Sequence, residues 1–110
     1  MKDGTEKAQS DKIVVTIDPD LEGLIPGYLA NRRKDIESVK TAIEAEDFEL
    51  INRLGHSMKG SGAGYGFGLV STLGASLEKA GEAGDAKTAL DVMAQLARYL
   101  DRIEIVYESL

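Results

Sequence analysis

The residue best suited to chemistry is His56, the single histidine of a 110-residue chain that has no cysteine. A neutral imidazole is a nucleophile near physiological pH. Lys59 follows three residues later, which is about one turn of a helix, so its ammonium group can pair with anionic oxygens carried on the imidazole. A phosphoryl group fits that description. An isolated histidine is more often structural, but the pair, the outward direction of the imidazole and the glycines beside it together predict a site that accepts a phosphoryl group.

The spacing of apolar and small residues around His56 predicts a helix that turns the imidazole toward solvent. These residues recur in steps of three and four: Phe48, Ile51, Gly55, Met58, Gly62, Tyr65 and Leu69. Such a period is typical of a helix packed on a core. With Ile51 and Met58 at the centre of the buried side, His56 lies roughly 140° away. We expect this helix to run to about Gly64 or Tyr65.

The same stretch carries six glycines, at positions 55, 60, 62, 64, 66 and 68. Each glycine inside a helix costs about 0.8–1 kcal/mol relative to alanine, so their number needs a reason. Gly60 and Gly64 point outward on the strip that carries His56, and we interpret them as clearing the approach of another protein to the imidazole. The glycines at 55 and 62 point inward, which predicts close helix packing. Gly66 and Gly68 are expected to end the helix, because glycine readily takes the left-handed conformation of a C-cap.

The sequence His-Ser-Met-Lys-Gly-Ser at residues 56–61 resembles the His-x-x-Lys-Gly-Ser/Ala signature of histidine-containing phosphotransfer (HPt) domains, which relay phosphate in bacterial two-component phosphorelays. The resemblance continues at five further positions, Gly66, Val70, Leu73, Gly74 and Leu77. With the flanking helices it covers roughly residues 18–107. The Gly-Tyr-Gly-Phe-Gly run at 64–68 departs from the family pattern because it is richer in glycine, which leaves the end of this helix open.

The resemblance implies that His56 accepts a phosphoryl group from the phospho-aspartate of one response-regulator receiver domain and passes it to the aspartate of another. It implies that Lys59 holds the phosphate oxygens and that Gly60 and Gly64 give the partner access, while Ser57 is a candidate for a hydrogen bond near the phosphate. The expected partners are receiver domains and a hybrid histidine kinase. The chain itself is expected to bind no cofactor and no metal, with Mg²⁺ carried by the receiver. It would be a relay intermediate and not an enzyme, because it has no ATP site of its own.

Two other functions stay open at this stage. A helical adaptor could bind a partner with no phosphate chemistry, and His56 would then be dispensable. The phosphate-accepting domain of a chemotaxis-type kinase would instead receive its phosphate directly from ATP bound to a separate domain. Arg32 and Arg33 could add positive potential near the histidine, although a solvated helix face salt-bridged to nearby acidic residues such as Asp35 and Glu37 is the simpler interpretation.

The pattern of the whole chain predicts an all-α fold, an antiparallel up-down-up-down four-helix bundle with a short extra N-terminal helix. Asp18 and Pro19 form the start signal of the short helix, and Pro26 restarts the chain into a long helix that runs to about Ala45. Asp47 is the expected cap of the histidine helix.

Two further helices complete the predicted bundle. The third ends at Gly84, and Asp85 caps the fourth. The apolar residues of the fourth helix repeat in steps of four and three to the end of the chain, at Ala89, Met93, Leu96, Leu100, Ile103, Tyr107 and Leu110. We therefore expect this helix to continue through the last residues.

The N-terminal residues divide into a polar part and an apolar part. Residues 1–12 lack any periodicity and are predicted to be a flexible tail or linker, whereas residues 13–110 are predicted to form the helical bundle domain. Ile13–Ile17 is β-prone, but no partner strand is recognisable in the chain, so we expect an extended segment packed on the bundle.

Composition narrows the classes of partner. The net charge of −6 and the isoelectric point near 4.7 argue against binding of DNA or RNA, whose phosphate backbone attracts basic proteins. Residues 1–12 are polar and lack the apolar core of a signal peptide, and no apolar run approaches the roughly 18 residues that span a membrane. A cytoplasmic monomer is the expected state.

Overall fold

The computed structural model describes residues 12–109. Its elements are strand β1 (Ile13–Ile17), a 3₁₀ helix (Pro19–Leu24), helices α1 (Ile25–Glu44) and α2 (Phe48–Ser61), a 3₁₀ turn (Ala63–Tyr65), helices α3 (Gly68–Ala83) and α4 (Ala86–Arg102), and strand β2 (Ile103–Tyr107). The four-helix bundle and the short N-terminal helix are therefore confirmed. The predicted tail lies outside the described residues, except for Lys12.

N-cap aspartates, a C-cap glycine and a first-turn proline determine where the helices begin and end. Asp47 Oδ1 accepts a hydrogen bond from the backbone N–H of Leu50 at 3.1 Å, and Asp85 Oδ1 accepts one from Thr88 at the same distance. These are the predicted N-caps of α2 and α4. Gly84 ends α3 with φ 64°, a left-handed conformation that glycine adopts at little cost. Pro26 lies in the first turn of α1, so the chain restarts there as predicted.

The end of the histidine helix differs from the prediction. Helix α2 stops at Ser61, and the carbonyl of Gly62 then accepts hydrogen bonds from the N–H groups of Tyr65 (3.2 Å) and Phe67 (2.8 Å). Gly66, with φ 97°, closes this turn. Gly68 does not end a helix, because it is the first residue of α3. Leu69, which the period placed on the buried side of α2, belongs to α3 and is exposed.

The two ends of the described chain form a parallel two-stranded ribbon, which corrects two predictions. β1 pairs with β2 from Ile13 opposite Ile103 to Ile17 opposite Tyr107. The expectation that Ile13–Ile17 has no partner strand was wrong, and so was the extension of α4 to the end of the chain. The extension of α4 was predicted because residues four apart lie on the same side of a helix and also on the same side of a strand. The apolar residues at 103 and 107 therefore fit either structure. The exposure of the intervening Glu104 and Val106 shows the strand period of two.

Helices α2 and α3 pack along a seam of glycines. A Cβ atom on Gly55 would lie under 3 Å from the backbone of Glu78, and one on Gly74 would lie as close to the backbone of Lys59. Gly62 and Gly81 make the same kind of close approach to α3 and α2, respectively. The inward role predicted for the glycines at 55 and 62 is thus confirmed. The seam fixes which residue of α3 lies beside each residue of the histidine helix.

Apolar side chains from all four helices fill the core. The largest fully buried ones include Ile25, Val39, Ile51, Met58, Val70, Leu77, Met93 and Leu96. Ile51 and Met58 are the residues that the sequence placed at the centre of the buried side of α2. Their burial anchors the helix that carries the histidine, so the opposite side of that helix is directed outward.

Candidate functional site

His56 lies on the solvent side of α2, with 72% of its side chain exposed. Ile51 and Met58 on the same helix are fully buried, so the imidazole is turned away from the core as the spacing predicts. The ring is free to meet a group brought by another molecule. Within the described residues, one of its two ring nitrogens makes a hydrogen bond to a side chain of a neighbouring helix.

Glu78, on the neighbouring helix α3, holds the imidazole. The Nδ1 atom of His56 lies 2.9 Å from Glu78 Oε2. An ionised carboxylate only accepts hydrogen bonds, so Nδ1 carries the proton and donates it to Glu78. In the neutral ring the lone pair then resides on Nε2. The contact thus selects the tautomer in which the outer nitrogen is the nucleophile.

The same carboxylate binds Lys59. The Nζ atom of Lys59 lies 2.8 Å from Glu78 Oε1, so the two oxygens of Glu78 are divided between the lysine and the histidine. The hydrogen bond from Lys59, followed by that from His56, lowers the pKa of Glu78 below its ordinary value. Glu78 is therefore ionised near neutral pH, as its role of acceptor from both neighbours requires.

The glycine seam explains why Glu78 reaches this site. Gly55 precedes His56 in the chain and touches the backbone of Glu78, and Gly74 touches the backbone of Lys59. Side chains at either glycine would push the two helices apart. Close packing at the seam therefore sets the distance from the carboxylate to the imidazole and the ammonium group.

A serine secures the end of the histidine helix. The hydroxyl of Ser71 on α3 donates to the backbone carbonyl of Lys59 at 2.9 Å and accepts from the N–H of Ala63 at 2.8 Å. The hydroxyls of Ser61 and Tyr28 lie 3.1 Å apart and join α2 to α1. The last turn of α2, which carries Lys59, is thus held from two sides.

The two outward glycines leave open space. Nothing in the described part of the chain outside the local backbone lies within 4 Å of the position that a Cβ atom would take on Gly60 or Gly64. Ser57 is exposed next to His56. The structure thus places the five site residues predicted from the sequence on or directly after α2, and it brings His56 and Lys59 together through Glu78.

The arginines of α1 are salt-bridged. Arg32 Nε lies 2.7 Å from Asp35 Oδ2, and its guanidinium stands 4.5 Å from the centre of the Tyr28 ring. Arg33 lies 3.1 Å from Asp101 of α4. The structure supports the ion pairs of the simpler interpretation, but only Arg33 lies on a solvated face, because the side chain of Arg32 is 11% exposed. The second partner is Asp101 and not the Glu37 that the sequence suggested.

Glu78 is the site residue that the sequence interpretation missed. Its signal was present as two pairs of glycines with the same spacing of seven residues, Gly55 with the C-cap Gly62 of α2 and Gly74 with Gly81 of α3. If the two pairs interdigitate in antiparallel helices, so that Gly55 lies between Gly74 and Gly81, Glu78 falls beside Gly55, the residue that precedes His56. The chain has 19 acidic residues, so composition alone does not distinguish the carboxylate next to the imidazole from the others.

A cavity of about 340 Å³ lies elsewhere, between the second half of α1 and the start of α2. Glu37, Thr41 and Leu50 are among its lining residues, whereas His56 and Lys59 are not. Ligand pockets for small molecules are usually concave clefts. The exposed imidazole is instead suited to meeting a group that is presented by another protein.

Comparisons with known proteins give one match. A family model described as Hpt domain matches residues 25–105. No curated protein and no solved structure matched the chain. Within residues 12–109, no helix is long and apolar enough to cross a membrane, and no group of three or more His, Cys, Asp or Glu side chains is arranged to hold a metal ion.

Proposed function

The chain belongs to the Hpt domain family, which implies a part in phosphorelay, and on that premise we propose that His56 relays a phosphoryl group between the aspartates of receiver domains. The observation that carries the proposal is the hydrogen bond from His56 Nδ1 to Glu78, which leaves Nε2 as an exposed nucleophile. Phosphoryl transfer depends mainly on positioning and on charge stabilisation, and a rigid bundle can supply both.

In the proposed step, the lone pair of Nε2 attacks the phosphorus of a phospho-aspartate. The P–N bond forms while the P–O bond to the aspartate breaks, and the aspartate leaves as a carboxylate with the bonding electrons. The proton on Nδ1 stays in its hydrogen bond to Glu78, so the product is a phosphoimidazolium whose positive ring faces an anion. Attack by the aspartate of a second receiver reverses these bond changes.

Lys59 supports the phosphate oxygens in this scheme. Its ammonium group has three N–H donors, and Glu78 Oε1 accepts one of them in the resting protein. The side chain is 46% exposed, so its remaining donors are available to an incoming anion. The lysine assists the transfer and forms no covalent bond.

The receiver is proposed to approach over Gly60 and Gly64, where the absence of side chains lets its acidic pocket come close to Nε2. Ser57, beside the imidazole, is a candidate for a hydrogen bond to the phosphate. Mg²⁺ is proposed to arrive with the receiver, and this chain is proposed to act without an ATP site, as a relay intermediate and not as an enzyme. A hybrid histidine kinase is the proposed source of the phosphoryl group.

We also propose that residues 13–110 form the domain and that residues 1–12 serve as a tail or linker. A monomer in the cytoplasm is consistent with the relay function, since each transfer needs one exposed histidine and one receiver at a time. Sedimentation of the purified protein tests the monomeric state.

The test is incubation with a receiver domain that carries radiolabelled phospho-aspartate. The wild-type protein should acquire an acid-labile label, and His56→Gln should acquire none while staying folded, because the side chain is exposed and the glutamine amide can still donate to Glu78. A helical adaptor would bind the receiver with no transfer of label. Labelling by a kinase core in the absence of any receiver would instead favour the phosphate-accepting domain of a chemotaxis-type kinase.

A further inference from the structure

Strand β1 lies between β2 and the turn that follows the histidine helix. It precedes the segment that the family model matches, which begins at residue 25. On one edge, the carbonyl of Ile17 accepts a hydrogen bond from the N–H of Glu108 at 3.0 Å. Successive carbonyls of a strand point to opposite edges, and that of Thr16 is 3.9 Å from the position of a Cβ atom on Gly66. β1 therefore touches the site turn directly.

The contact between β1 and the turn is made by a buried side chain. Ile17 is 1% exposed, and its Cδ1 atom lies 2.5 Å from the position of a Cβ atom on Gly66. Gly66 also has φ 97°, which residues other than glycine rarely adopt. The turn is thus shaped to receive Ile17, both through its backbone conformation and through its missing side chain.

The turn connects this contact to the site. Phe67 N–H donates to the Gly62 carbonyl at 2.8 Å, and Ala63 N–H donates to the Ser71 hydroxyl that also binds the carbonyl of Lys59. Tyr28 stacks on Tyr65 on another side, with ring centres 4.3 Å apart. Residues 62–67 are therefore held by β1, α1 and α3 together, and they adjoin the helical turn that carries Lys59.

β1 is held much more weakly than the helices. Of its five residues only Ile17 is buried, and Val14 is 63% exposed. Two-stranded ribbons are marginally stable alone, and segments with few buried contacts open at a lower free energy than the whole domain. The glycine seam between α2 and α3 has no such weakness, because both helices are closely packed along it.

We propose that β1 is a detachable strap that orders the site turn at residues 62–67. When β1 is paired with β2, Ile17 is seated against Gly66 and the turn is fixed. When β1 detaches, the bundle stays folded but the turn loosens beside Lys59. The ordering claim stands without any phosphate chemistry, whereas its consequence for transfer rates rests on the proposed function.

Two proline variants of β1 provide the test. Ile17 directs its backbone groups toward β2, so the alternation of the ladder directs those of Val15 the same way and those of Val14 to the opposite edge, which pairs with no strand in the described part of the chain. Val15→Pro removes a hydrogen bond of the ribbon, whereas Val14→Pro removes no such bond and proline is tolerated at a free edge. Hydrogen exchange is measured by mass spectrometry on peptides from β1, from residues 62–67 and from the α2–α3 seam.

In Val15→Pro we expect exchange of the β1 and turn amides to rise about tenfold or more, with the seam unchanged. Val14→Pro should exchange like the wild type. If the β1 amides exchange faster while the exchange rate of the turn amides is unchanged, the proposal is wrong. It is also wrong if exchange of the seam amides rises as much as that of the turn amides, because β1 would then open only when the whole domain unfolds.

Ile17→Ala is the third variant, and it decides the case if β1 stays paired in Val15→Pro. It keeps the ribbon and removes the buried side chain that contacts Gly66, so exchange of the turn amides should rise more than exchange of the seam amides, which lose some protection because Ile17 belongs to the core. An unchanged turn in Ile17→Ala would overturn the proposal. If the relay function holds, both variants also receive phosphate more slowly than Val14→Pro. If His56 receives none in any variant, the exchange data still decide whether the strap exists.

Discussion

His56 and Glu78 belong to different helices, yet the Nδ1 and Oε2 atoms of these residues are 2.9 Å apart. The hydrogen bond directs the nucleophilic lone pair of the imidazole outward and puts a negative charge behind the ring. Glu78 also binds Lys59, so one carboxylate positions both residues predicted to handle the phosphate. The site is therefore a feature of two helices and not of the histidine motif alone.

Glu78→Gln tests whether the charge behind the imidazole matters for transfer. The amide can still accept from Nδ1, but it cannot stabilise the positive ring of the phosphoimidazolium. We expect the rate of phosphoryl transfer from the receiver to fall about tenfold or more, because a hydrogen bond to a charged group is stronger than a neutral one by about 1–1.5 kcal/mol. Glu82→Gln, one turn further along α3 and exposed, makes the same charge change and should transfer at the wild-type rate. Equal rates in all three proteins would show that Glu78 has no part in the reaction.

Lys59→Ala should slow the transfer without abolishing it, because the lysine stabilises phosphate oxygens and forms no bond to phosphorus. A loss of about tenfold to a hundredfold is expected, the range for charge-assisted hydrogen bonds. The measurement is the rate of label transfer at saturating receiver. Lys79→Ala, an exposed lysine of α3, controls for the change in net charge. A Lys59→Ala protein as fast as this control would contradict the role assigned to Lys59.

The network around Glu78 should also give a pH-dependent contribution to stability. Hydrogen bonds from Lys59 and His56 lower the pKa of Glu78 in the folded protein below its ordinary value of 4.5. The contribution is therefore present above about pH 4.5 and is lost as the pH falls through the lowered pKa. Urea unfolding should show wild type more stable than Glu78→Gln at pH 7, with the difference shrinking in acid. A difference that is the same at pH 7 and pH 3 would count against the ionised network.

Gly60 and Gly74 should respond oppositely to added side chains. Gly60→Leu fills open space, so the domain should fold normally while receiver binding weakens because the approach to His56 is blocked. Gly74→Ala forces a methyl group against the backbone of Lys59 and should destabilise the fold by about 1–3 kcal/mol. Urea unfolding and receiver binding are measured on both. Wild-type receiver affinity in Gly60→Leu would refute the steric role of the outward glycines.

The sequence predicted the bundle, the caps and the outward histidine because each depends on local signals. Asp47 and Asp85 are caps that can be read from their position alone, and the buried Ile51 and Met58 fix the orientation of His56. These inferences needed no knowledge of which helix packs on which.

Features that depend on contacts between distant segments were missed. The pairing of β1 with β2 joins the two ends of the described chain, and the apolar residues of β2 also fitted a helical period. Glu78 is 22 residues from His56, so its role appears only when the register of α2 on α3 is known. That register is set by backbone contacts at glycines, which leave no polar pattern in the sequence.

The position of the phosphoryl group on His56 tests the central claim most directly. The chain has one histidine, so the protein labelled with ¹⁵N at histidine gives one imidazole signal set. After reaction with a phosphorylated receiver, we expect ¹⁵N and ³¹P NMR to show phosphorus bonded to Nε2, with Nδ1 still protonated. Phosphorus on Nδ1, or an imidazole that remains unmodified while the receiver loses its phosphate to another residue, would contradict the account.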